Sequence, residues 1–291
     1  MDGILNINKP QGRSSFSMVT LVRRLSGERH VGHAGSLDPI ATGVLPVCLG
    51  RGTRVTEYLM EATKVYRTQI ELGVATDTYD ITGRVTSIGD ASQVDHKKLE
   101  TALASFRGSI EQTPPMYSAL KHHGKRLYEL ARAGIEVERK SRPIIIYRLE
   151  LVDFASPLIT IEVECSKGTY IRSLAHDLGM VLGCGATMKS LTRLRCGPFD
   201  IKDAVSVSQL EDDFGHGRWE TIIHPIDVVL SHWAAMVVDG DMERMIRHGR
   251  PIPGSSPEGD YCRVYTRDGC FLGVLRFKPE TGEWQPDKVF L

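Results

Sequence analysis

The stretch RHVGHAGSLDPIATGVLPVCLG, Arg29 to Gly50, decides how this chain is read. A single carboxylate, Asp38, stands among Gly32, Gly35, Gly43 and Gly50, the prolines Pro39 and Pro46, and His33. Glycine opens conformations closed to other residues and proline fixes φ, so the backbone around Asp38 is turn-rich. Such a loop presents a side chain to a ligand; it does not build a core. No second carboxylate lies close by in sequence and no metal-ligand spacing surrounds it. That pattern reads as a lone nucleophilic or basic aspartate beside a histidine. Asp-Pro by itself is an ordinary turn opener, because Asp bonds local backbone and Pro presets φ.

Outward from this loop, strands and helices alternate. Ile4 to Asn8 reads as a short strand, and Ser14 and Ser15 cap a helix with Met18, Leu21, Val22 and Leu25 on one face. After the loop come a strand at Val44 to Leu49 and a helix at Thr53 to Met60. Tyr66, Thr68, Ile70 and Leu72 alternate with polar residues, as do Ile159, Ile161, Val163 and Cys165, which predicts half-buried strands. Between them, Thr76 to Gly83 is a polar turn into another strand, and Leu99, Leu103 and Phe106 mark a helix that Gly108 ends. Pro114-Pro115 breaks the chain before a basic segment, residues 116–142, with a short helix at Leu127 to Arg132. Further strands are expected at Ile144 to Val152 and Leu191 to Arg195. Helices are expected with Ile171, Leu174 and Leu178 on one side, and after Ser206. The mixture predicts an α+β fold with a mixed, largely antiparallel sheet flanked by helices. Neither a dinucleotide fingerprint nor a P-loop is present.

A boundary is expected near His224 to Trp233. Residues 1–230 would form one domain and 231–291 a small β-rich one, with strands at Cys262–Tyr265, Phe271–Phe277 and Trp284–Phe290. The 291 residues, 41% hydrophobic and 25% charged, suit a soluble protein of this size. No apolar run approaches the ~20 residues of a membrane span, and no signal pattern opens the chain, so a cytoplasmic location is expected. The six cysteines lack CxxC spacing and read as buried free thiols, not zinc ligands. Formal net charge is zero, but between Tyr117 and Arg148 basic residues outnumber acids, a local surface able to hold phosphates.

The segment GHAGSLDPIATGVLPVCLG resembles the motif of the tRNA pseudouridine-55 synthase (TruB) family. Four more segments match, covering most of residues 3–200: Leu5 to Gly12; Lys64-Val65-Tyr66-Arg67 with Gly73 and Thr76-Asp77-Thr78; Pro115 to Lys121 with Leu127-Tyr128; and Cys165 to Leu174. The resemblance implies a pseudouridine synthase fold ending in a PUA-like RNA-binding domain. It implies isomerisation of uridine to pseudouridine at position 55 of the tRNA T-loop, by base flipping and an aspartate-dependent glycosidic rearrangement.

By the same resemblance Asp38 is the catalytic carboxylate, Arg172 the cation that keeps it ionised and oriented, and Tyr66 the ring that stacks on the target base. His33 would stack within the RNA loop. Lys9 would support the active-site region, Leu191 would line an apolar pocket, and Tyr170 and Lys121 would bind substrate. Residues 116–142 correspond to an insertion that clamps the T-loop. The family needs no cofactor or metal, and the expected partner is tRNA, with no membrane, no obligate protein partner and a monomeric state. Other readings are a guide-RNA-dependent relative, a non-catalytic tRNA-binding module, and a hydrolase pairing Asp38 with Asp77 or Asp80.

Overall fold

A computed structural model describes residues 1–255 and 259–290 of the chain. Among these residues, ten strands form one mixed sheet. Its main path runs Ile223–His224, Gly3–Lys9, Thr42–Leu49, Ala186–Cys196, Lys64–Leu72, Leu158–Cys165, Arg142–Ala155 and Gly108–Gln112. Neighbours along the path are antiparallel, except that Thr42–Leu49 and Ala186–Cys196 run parallel. The expected α+β class and largely antiparallel sheet are what the chain forms.

Alternation in sequence becomes two chemically different faces. On the inner face Ile70, Leu72, Ile159, Ile161 and Val163 pack with Leu99 and Leu103 of the helix His96–Ala104 and Leu174 and Leu178 of the helix Ile171–Leu182. Fully burying such side chains contributes about 1.5–3 kcal/mol each, so this layer dominates the stability of the sheet. The opposite face carries a ladder of ion pairs in place of apolar cover. Arg67 and Arg148 both bind Glu162, at 3.0 and 2.7 Å, and Arg148 and Arg195 both approach Glu164. Exposed pairs of this kind contribute up to about 1 kcal/mol each, so they make the face soluble more than they hold it together.

The first helix is Ser15–Ser26, capped by the Ser14 hydroxyl, which accepts from the Ser17 N–H at 3.0 Å, and closed by Gly27 at φ 66°. The helix predicted through Phe106 stops at Ala104, and Gly108 opens a strand whose sequence, GSIEQ, carries one large apolar residue and gives little signal. Five of the cysteines are buried as expected, but Cys270 is exposed, beside the turn at Asp268-Gly269.

A second, five-stranded sheet is built from Ala234–Val238, Tyr261–Thr266, Phe271–Lys278, Glu283–Val289 and Ile252–Pro253, with the helix Gly240–Arg247 against it. Its Val274 and Phe290 belong to one apolar cluster with Ile4, Val44, Val55, Leu59, Phe199 and Leu230 from the larger part. Trp233 lies between Tyr58 (ring centroids 4.9 Å, edge-on) and Tyr261 (5.0 Å, stacked), and the Tyr58 hydroxyl donates to Asp287 at 3.0 Å.

Candidate active site

Asp38 sits where two segments of backbone meet. The Ala41 N–H donates to the Asp38 carbonyl at 3.0 Å, with Pro39 between them, so the Asp-Pro pair does form a turn. The N-terminal loop holds that turn on both sides. The buried Ser15 hydroxyl accepts from the Leu37 N–H at 2.8 Å and donates to the Leu37 carbonyl at 3.2 Å, while the Gly12 N–H donates to the Pro39 carbonyl at 2.7 Å. Beyond the turn, Gly43 adopts φ 101° where a Cβ would come within 2.3 Å of the Arg193 carbonyl, so only glycine lets these strands meet.

Arg172 projects from the first turn of its helix and grips the carboxylate side-on. Its Nε lies 2.9 Å from Asp38 Oδ2 and its Nη2 donates to Oδ1 at 3.3 Å. The same guanidinium donates to the carbonyls of Thr78 (3.3 Å) and Tyr117 (2.9 Å) and lies 3.5 Å from Asp80 Oδ2. The Asp38 side chain keeps 39% of its surface and that of Arg172 only 6%, so substrate can reach the acid but not the cation. Burial pushes the Asp38 pKa above the usual carboxylate range; Arg172 and Lys9 oppose the rise and Asp80 adds to it.

Asp80 is itself buried and held in the turn Thr76 to Gly83. It accepts from the Thr78 hydroxyl at 2.8 Å and the Thr82 N–H at 2.9 Å. Between Thr78 and Asp80, Tyr79 sits at φ 65°, a conformation costing a non-glycine residue about 1–3 kcal/mol. Its ring stacks on His176 at 3.9 Å and 14°. Aromatic stacking contributes about 0.5–1.5 kcal/mol, enough to offset part of that cost.

A second group lies along the strands. Tyr66 is opposite Arg193 in the antiparallel pairing, and its hydroxyl meets the Arg193 side chain. Burial pushes the phenol up to about 12, so it keeps its proton at neutral pH. Arg193 is fully buried and donates to the carbonyls of Val44 (2.6 Å) and Gly35 (3.1 Å), tying Tyr66 to the loop that carries Asp38. Leu191 is buried on the same side of that strand. His33 Nδ1 is buried with no hydrogen-bond partner among the described residues, and burial together with Arg193 pulls its pKa below the usual imidazole value.

Lys9 is buried and donates to the carbonyls of Pro10 (2.9 Å) and Arg13 (2.6 Å), bracing the loop that grips Leu37 and Pro39. Burial lowers its pKa to about 8, against the pull of Asp38. Its contribution to stability is therefore complete above about 10.5 and is lost as pH falls through about 8. Tyr170 caps the Arg172 helix, and its backbone is held at both ends by the Gln112 side chain, which accepts from its N–H (2.8 Å) and donates to its carbonyl (3.0 Å). Its phenol faces Ser118, and burial raises its pKa.

Asp38, Arg172, Lys9 and Tyr170 are thus brought together, and Tyr66, His33 and Leu191 are joined to them through the Arg193 strand. Lys121 is not: it is exposed in the small hairpin Lys121–His122/Lys125–Arg126, with no contact to Asp38 or Arg172 among the described residues. That hairpin and the helix Leu127–Arg132 fold around their own apolar cluster, Met116, Leu127 and Leu130. Arg126 and Arg132 stand over the Tyr128 ring at 5.8 and 5.5 Å.

Arg193 and Gln112 were not singled out by the sequence. For Arg193 a signal existed, since it shares parity with buried Leu191 on one strand and so points inward.

Residues 23–171 match the family described as TruB family pseudouridylate synthase (N terminal domain), and residues 172–231 match the tRNA pseudouridylate synthase B C-terminal domain. The chain is 45% identical to tRNA pseudouridine synthase B of Dehalococcoides mccartyi, over 100% of this chain and 97% of that one. It is 43% identical to tRNA pseudouridine synthase B of Clostridium kluyveri, over 94% and 95%. Among solved structures it resembles a chain of a Cbf5-Nop10-Gar1 complex at TM-score 0.78 and 26% identity, over 99% of this chain and 85% of that one.

Proposed function

Because the chain belongs to the TruB family of pseudouridylate synthases, we propose that it isomerises uridine to pseudouridine at position 55 in the T-loop of tRNA. The observation that carries this reading is the two-point grip of buried Arg172 on reachable Asp38. The reaction breaks the bond between sugar C1′ and base N1, turns the uracil over, and joins C1′ to C5. The proton leaves C5, N1 gains one, and the formula is unchanged. No electrons are exchanged with an outside partner, so the chemistry calls for no redox cofactor.

Each residue has work suited to its surroundings. Asp38, ionised and aimed by Arg172, assists cleavage at the sugar–base junction. Tyr66, protonated and backed by the sheet core, offers a ring to the flipped base, and Leu191 keeps its surroundings apolar. His33 orders the RNA loop around the extruded nucleotide. Lys9 supports the Asp38 turn from behind, and Tyr170 borders the substrate next to Arg172.

Residues 116–142 clamp the T-arm, with Arg126, Tyr128, Arg132 and Lys121 facing phosphates and unstacked bases. Residues 1–230 act as the catalytic domain and 231–291 as a PUA-like RNA-binding domain. The enzyme works as a monomer in the cytoplasm, on tRNA, without an obligate protein partner.

The test uses the purified chain alone. A T-arm RNA labelled with tritium at C5 of its uridines should release the label from one position without additives. Tritium retained in a T-arm substrate would remove the proposal. Release only after guide RNA or partner proteins are added would place the chain with the complex-forming relatives, and free uracil among the products would mean hydrolysis.

A further inference from the structure

We infer that the stacked pair Tyr79–His176 is a positioning device for Arg172, and through it for Asp38. The inference rests on the proposed isomerase activity and concerns residues to which neither the motifs nor the chemistry above give a role.

Arg172 is held by two neighbours of Tyr79: the Thr78 carbonyl at 3.3 Å and the Asp80 carboxylate at 3.5 Å. Those groups converge on one guanidinium because the chain turns sharply between them, and it turns at Tyr79, whose φ is 65°. A tyrosine does not choose that conformation unaided; something outside the turn must hold it. The backbone offers part of the hold, since the Met188 N–H donates to the Tyr79 carbonyl at 3.0 Å and the Ile81 N–H donates to the Met188 carbonyl at 3.0 Å.

The side-chain hold is His176, at 3.9 Å and nearly coplanar. His176 lies on the Arg172 helix four residues further along, so both side chains leave the same face. One rigid helix therefore presents the cation and the surface that fixes the turn gripping the cation. Burial and nearby Arg139 lower the His176 pKa, which keeps the ring neutral and suited to stacking. The positioned guanidinium then sets where the Asp38 oxygens stand.

His176→Ala should lower kcat about ten- to a hundredfold with KM within about twofold, the size of loss a slight misplacement at a reacting group produces. His176→Phe, which keeps a flat ring but no titratable nitrogen, should restore kcat to within about threefold of wild type. Tyr79→Ala, which still strains at the positive φ but has no ring, should behave like His176→Ala, and the double variant should lose no more than either alone. Wild-type kcat in His176→Ala would overturn the inference. So would a loss confined to KM, which would mean direct RNA contact, or a loss that His176→Phe fails to restore. An inactive wild-type protein would instead defeat the proposed function, so the two failures are told apart by the wild-type assay.

Discussion

Asp38→Asn protein is expected to fold, to bind T-arm RNA with affinity within about threefold of wild type, and to lose turnover by at least about 10⁴-fold, the scale seen when a reacting group is removed. The substitution is nearly isosteric, and the amide oxygen can still accept from Arg172. What disappears is the charge. Stability should not suffer at neutral pH, and the sign follows from the raised pKa. A carboxyl whose folded pKa lies above its unfolded value gives its full stabilisation below the ordinary carboxylate range. It loses that stabilisation as pH rises through the higher folded value. The ionised, working form of Asp38 is thus the less stable one, a common price of a built active site. Thermal melts beside single-turnover assays check both parts. Measurable turnover in the Asn protein would remove Asp38 from the chemistry.

The second large effect is expected at Arg172. Arg172→Met leaves buried Asp80 without its cation and Asp38 without its partner. Breaking a buried pair by removing one member costs about 3–5 kcal/mol, so melting should fall clearly. Turnover should drop about 10²–10³-fold, as when a charge-aligning donor is lost. Asp38 should also become harder to ionise, because burial already raises its pKa and Arg172 is the leading opposing influence. The acid limb of the kcat profile should therefore move to higher pH. Arg172→Lys should recover more stability than activity, because an ammonium supplies charge but not a planar two-point contact. A Met variant with kcat within about threefold of wild type and an unmoved acid limb would contradict the role given to this side chain.

Much of the fold was legible because it obeys simple periods. Leu158–Cys165 alternates strictly, Lys64–Leu72 does so from Tyr66 onward, and the two lie in the middle of the sheet. The Arg142–Ala155 and Ala186–Cys196 strands proved longer than predicted. Their registers shift at Ile146/Arg148 and Leu151/Asp153 in one and at Met188/Ser190 and Arg193/Arg195 in the other. Each shift breaks the parity that sequence reading relies on. The strands Ala234–Val238 and Ile252–Pro253 were missed because they are short and sit between stronger elements.

At the site, the Asp38 loop was readable as a loop. That Arg172 points inward was not, since an arginine near a helix start is as often on the surface. Asp80 entered the reading only as a second carboxylate for hydrolysis. Its pairing with Arg172 bridges distant stretches of chain, and no local pattern encodes it.

The apolar cluster that Val274 and Phe290 share with Ile4, Val44 and Leu59 has one more consequence. Modules joined only by a linker swing, whereas modules that share a core do not. Trp233 wedged between Tyr58 and Tyr261, and Asp287 held by Tyr58, remove the remaining play. The terminal sheet is thereby a fixed jaw of a caliper. A partner touching both jaws would meet them at a separation that the shared core has already set.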